Sequence, residues 1–74
     1  MALITVKLVE GMFTPTQKAQ IAERLTDAMV SVEGEAIRGA TWCVIEAVKR
    51  GDWAVGGERL TTETAQALAA GQPA

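Results

Sequence analysis

One helix start, set between two runs of β-branched residues, constrains this chain more than any other feature. The segment Thr14-Pro15-Thr16-Gln17 carries three helix-initiating signals at once. Thr14 is placed to cap the free amides, Pro15 stands at the first helical position where its missing N–H costs nothing, and Gln17 completes a capping box. Downstream, Ile21, Leu25, Ala28, Met29 and Val32 recur at spacings of three and four, which predicts one apolar helix face. Lys18, Glu23, Arg24 and Asp27 largely fill the remainder, and Gly34 is a natural stop. Before the helix, Ala2 to Val9 reads as a strand that ends at Glu10-Gly11. After it, Glu35 to Ala40 is a connection and Thr41 to Val48 a second strand. Strand, helix, strand in that order is a β-α-β unit, with parallel strands and a right-handed crossover.

Alternation along the first strand puts Ile4, Val6 and Leu8 on one face and Leu3, Thr5, Lys7 and Val9 on the other. In the second strand Trp42, Val44, Glu46 and Val48 share a face. Arg50-Gly51-Asp52 is a turn, and Trp53-Ala54-Val55 before Gly56-Gly57 predicts a short hairpin arm. Thr61 or Thr62 caps a last short helix through about Leu68 to Ala70, and Gly71-Gln72-Pro73-Ala74 reads as frayed. No repeat or linker interrupts the chain, so residues 1–74 are expected to form a single domain of the α/β (α+β) class.

Two parallel strands and one helix leave a sheet face and both sheet edges uncovered, and such a sheet is marginal alone. A chain of 74 residues needs a staple in the form of disulfides, a metal or partner subunits. Cys43 is the only cysteine and histidine is absent, which removes disulfides and leaves no usual zinc set. Partner subunits remain. A net charge of −2 gives no field favouring nucleic acid or an anionic membrane. No secretory signal pattern and no long apolar run are seen, so the expectation is a soluble cytoplasmic protein.

Catalytic constellations built on histidine are excluded, and Gly56-Gly57 lacks the lysine and following helix of a phosphate loop. Cys43 reads as a buried structural cysteine, Glu10 and Asp52 as solvated loop ends, and Glu46 as a carboxylate paired with a cation or held at an interface. The amino terminus is the distinctive feature. A strand that begins at Ala2 places an α-amine at the start of an ordered element, which reads either as an ordinary strand terminus or as a general base that needs no histidine.

Three segments then carry a resemblance over nearly the whole chain. They are Leu3-Ile4-Thr5-Val6-Lys7-Leu8-Val9-Glu10-Gly11, then Thr14-Pro15-Thr16-Gln17-Lys18 with Leu25-Thr26-Asp27-Ala28-Met29, then Val44-Ile45-Glu46 with Gly51-Asp52-Trp53-Ala54-Val55-Gly56-Gly57. In this order they resemble the 4-oxalocrotonate tautomerase family of small tautomerases. The resemblance implies a β-α-β protomer whose sheet joins a partner's in a dimer, with dimers built into a hexamer as a trimer of dimers. It implies no metal and no organic cofactor. It also implies keto–enol proton transfer on a small carboxylate-bearing substrate, a 2-oxo or 2-hydroxy-dienoic acid, by an amino-terminal proline freed of its methionine.

At the site positions the chain departs from that pattern. The proline position is Ala2, so with Met1 removed the amine is primary and accepts a proton or forms an imine, and with Met1 kept it lies one residue further out. The position after Glu10-Gly11, often arginine in the family, is Met12, and a second arginine position falls at Trp42. The aromatic position is kept as Trp53. Arg38, just before the second strand, is the candidate to replace a missing arginine. Trp42 reads either as an interface aromatic or as the wall of a more apolar pocket. Two alternatives keep the fold without proline chemistry. One is a silent or engineered protein that retains assembly and ligand binding; the other is a subunit of a mixed oligomer.

Overall fold

A computed structural model describes residues 1–71. The elements are β1 (Ala2–Val9), α1 (Pro15–Glu33), β2 (Thr41–Val48), β3 (Ala54–Val55), β4 (Glu58–Arg59) and α2 (Thr62–Ala69). The helix start works as its residues dictate. Thr14 Oγ1 accepts from the Gln17 amide at 3.1 Å, and the Gln17 side chain accepts from the Thr14 amide at 2.9 Å. At the other end Gly34 takes φ 102°, and its N–H donates to the Val30 carbonyl at 2.8 Å. A positive φ there suits glycine and turns the chain out of the helix.

β1 and β2 pair in parallel over their full length, from Ala2 opposite Thr41 to Val9 opposite Val48. The expected β-α-β unit is therefore present. The connection at 35–40 winds into a 3₁₀ turn, and Arg38 and Glu35 bridge it at a spacing of three. Beyond β2, the turn at 50–52 leads into the small antiparallel hairpin of β3 and β4, with Gly56 and Gly57 at positive φ in its bend. Thr61 caps α2, its hydroxyl accepting from the Thr64 amide at 3.1 Å. The expected frayed end overlaps residues 72–74, which lie outside the described residues. Among the described residues no helix is long and apolar enough to cross a membrane.

The sheet covers one helix face only in part, and this corrects the predicted stripe. Ile21, Leu25 and Met29 are half-buried as expected, but Ala28 is exposed and Val32 is 86% exposed. Among the described residues Val30, at 6% exposed, is the buried core residue, with Ala22 and Thr26 half-buried on the same side of the helix. The physical reason is width. Two strands about 5 Å apart cover a strip narrower than the apolar arc of α1, so one margin of that arc stays bare. Cys43 is a free thiol, half-buried rather than buried, for the same lack of cover.

The sheet's other face is open. Leu3 is 65%, Trp42 61% and Val44 40% exposed, and Leu3 and Trp42 are register partners. Lys7 stands opposite Glu46 on this face without closing an ion pair. The chain exposes 5416 Å² in all. A compact monomer of 7.8 kDa would expose about 4,400 Å². The chain thus exposes about 1,000 Å² more than a compact monomer of its mass.

Candidate functional site

The parallel sheet sorts the candidate residues by its two ends. Ala2 and Leu3 begin β1, directly opposite Thr41 and Trp42. Arg38 belongs to the turn that feeds β2. The amine end of the sheet thus gathers Ala2, Arg38 and Trp42. Met1 projects from it, 90% exposed.

Arg38 is tightly held there. Its Nε donates to Glu35 at 2.7 Å and its Nη1 to Asp27 at 2.8 Å, tying the turn to α1. These hydrogen bonds hold the Glu35 carboxyl below its ordinary range and raise the Arg38 guanidinium further, Glu35 contributing most and Asp27 next. Its charge is met by two carboxylates, so it reaches a substrate only by giving one of them up. Next to it the Thr41 hydroxyl donates to Glu33 and lies 3.0 Å from the Ile37 carbonyl.

The opposite end holds Met12 and Trp53. The Glu10 amide donates to the Val48 carbonyl at 2.8 Å, continuing the sheet pairing by one step, and Gly11 then turns the chain at φ 80°. The Met12 amide donates back to Val9 at 3.3 Å, closing that turn. On the second strand's side Trp53 follows the 50–52 turn; its amide donates to the Arg50 carbonyl at 3.2 Å, and its own carbonyl accepts from Leu60 at 2.8 Å. Met12 and Trp53 are both half-buried. An eight-residue strand separates this group from Ala2, about 23 Å along β1. A single protomer therefore brings Ala2, Arg38 and Trp42 to one end and Met12 and Trp53 to the other.

One residue at the second end was missed. Arg50 opens the 50–52 turn just past the second strand, and a Cβ at Gly11 would lie 3.3 Å from its Nη1. The signal was present in the sequence: two parallel strands of equal length must end side by side, which brings Glu10-Gly11 next to Lys49-Arg50. A shallow depression of about 200 Å³ on the flank of α1 is lined by Phe13, Gln17, Gln20, Ile21 and Arg24. None of the candidate residues lines it, and it is smaller than the roughly 300–1,000 Å³ usual for a ligand pocket.

The family model described as "Tautomerase enzyme" matches residues 3–63. The chain belongs to the tautomerase enzyme family.

Solved structures agree with this tautomerase assignment. TomN, a 4-oxalocrotonate tautomerase homologue of the tomaymycin biosynthetic pathway, is 31% identical over 90% of this chain and 94% of its own, with a TM-score of 0.71. DmpI from Helicobacter pylori is 32% identical over 77% of this chain and 87% of its own, at 0.67. An unfused 4-oxalocrotonate tautomerase without ligand is 27% identical over 80% and 93%, at 0.72. No curated protein matches. The β-α-β protomer with its short helix and small hairpin is a tautomerase fold, and these likenesses support a tautomerase-type function. The matched range begins just after Ala2.

Proposed function

We propose that this tautomerase-family chain is a 4-oxalocrotonate-type isomerase of small 2-oxo and 2-hydroxy-dienoic acids, acting in the cytoplasm as a homo-oligomer. Its site forms where the Ala2 end of one copy meets the Met12–Trp53 end of another. The observation that carries this reading is the separation of the two groups. Ala2 and Trp53 stand at opposite ends of the sheet, so no movement short of unfolding joins them within one protomer. Two copies with sheets side by side and antiparallel place unlike ends together. The two uncovered sheet edges favour this side-by-side pairing, and the bare margin of α1 and the open sheet face favour further copies packed against it. The resemblance gives its form, dimers built into a hexamer.

In this site the amine at Ala2, freed of Met1, accepts the proton of the 2-hydroxyl group and returns one to carbon. Enol becomes 2-oxo acid with no net change in atoms. Trp53 and Trp42 supply apolar walls that exclude water from the amine. The test is turnover: the purified oligomer is expected to speed ketonisation of 2-hydroxymuconate or phenylenolpyruvate over buffer. Rates equal to buffer with both substrates refute the reading.

Ala2 itself favours a second reading. A primary amine in the proline's place suits a tautomerase fold that keeps assembly and ligand binding after losing turnover. That protein binds a 2-oxo acid without isomerising it.

A further inference from the structure

The Gly11 turn holds a cation that the rest of the protomer leaves unmatched. Gly11 sits at φ 80°, and the space where a Cβ would stand is bounded by Arg50 Nη1 at 3.3 Å. Glycine thus lets a guanidinium lie close against the backbone of the turn. Arg50 is half-buried. Among the described residues, both ion pairs belong to Arg38, and no side-chain hydrogen bond engages Arg50. Glu10 and Asp52 lie within two residues of the seat, yet neither pairs with it. A partly desolvated planar cation with its donor fork unfilled is suited to receive a carboxylate in two-point contact.

The surroundings add a second constraint. Met12 leaves the same turn and Trp53 begins three residues after Arg50, and neither brings charge. One unpaired guanidinium, with Met12 next in the chain to its seat and Trp53 three residues on, suits one carboxylate attached to an apolar body.

We propose that Arg50, seated against Gly11, binds the substrate carboxylate, and that this selects 2-oxo acids with one carboxylate and an apolar remainder. This rests on the reading of the chain as a tautomerase of 2-oxo acids. Bound at Arg50, such an acid has its apolar part against Met12 and Trp53, and its reactive carbons point across the subunit boundary toward a neighbouring copy's amine.

The test is calorimetric titration of the intact oligomer with phenylpyruvate, beside the turnover assay. Arg50→Gln is expected to weaken binding about tenfold or more, the loss of a charge-assisted carboxylate contact. Arg50→Lys, which keeps the charge and loses the fork, is expected to fall between, and it replaces the glutamine variant should that one not assemble. Arg24→Gln, an equal charge loss on the exposed side of α1, is expected to bind as the parent does. Undiminished binding by Arg50→Gln or Arg50→Lys overturns the proposal, even where the parent turns over substrate. Binding that depends on Arg50 without turnover upholds the proposal and removes the isomerase reading. No binding of phenylpyruvate by the parent overturns the proposal, and the isomerase reading then stands or falls on turnover alone.

Discussion

Replacing Trp42 with glutamate asks whether the open sheet face is an interface between copies. In the protomer Trp42 is 61% exposed, so the change costs its own chain little packing. A tryptophan carries roughly 250 Å² of surface, so a partner covering the exposed part removes roughly 150 Å² from water. At about 25 cal/mol per Å² that is ~4 kcal/mol per protomer, an upper figure. Lost from one contact, it weakens association about a thousandfold. A carboxylate forced into the same place adds a desolvation penalty of several kcal/mol. Sedimentation velocity over a dilution series reads the result. The parent is expected to stay assembled while Trp42→Glu dissociates at concentrations far higher. Because so little is buried within one copy, helical circular dichroism is expected to fall along with the assembly. A Trp42→Glu protein that assembles as tightly as its parent refutes the argument, and so does a parent that sediments as a stable folded monomer.

Ala2→Pro, checked by intact mass for removal of Met1, is expected to raise turnover of phenylenolpyruvate by about 100-fold, the lower end of what a well-placed base contributes. No gain would show that Met12 and Trp42 also limit the reaction. Thr14→Ala removes the cap seen at 3.1 Å and is expected to cost about 1 kcal/mol in urea denaturation at fixed protein concentration, while Thr14→Ser costs almost nothing. The Glu35 carboxyl is lowered from 4.5 by its hydrogen bond to Arg38. Its contribution to stability is thus full above that value and lost as the pH falls through the lower folded value. Arg38→Gln is expected to flatten this acid limb, and an unchanged acid limb would count against the pairing.

Much of the protomer follows from local sequence. The Thr14-Pro15-Thr16-Gln17 start, the stop at Gly34, the two β-branched strands and the Gly56-Gly57 bend are each set by residues within a few positions of one another. Short-range sterics and hydrogen bonding suffice to specify them. The open question left by local sequence was which part of the α1 arc is buried. Ala28 and Val32 fit the helical period as well as Val30 does, and only the two-strand sheet's width and placement chose among them. The candidate site divides the same way. Ala2, Met12, Trp42 and Trp53 stand out by position in the sequence, but their sorting to two ends of a sheet depends on parallel pairing in one register. The commitment of Arg38 to Asp27, eleven residues away, and the seating of Arg50 against Gly11 across the sheet are contacts between distant segments. Composition and spacing determined the elements and their order. Tertiary structure decided which charges are matched and which remain open, because that depends on distances set by packing between elements far apart in the chain.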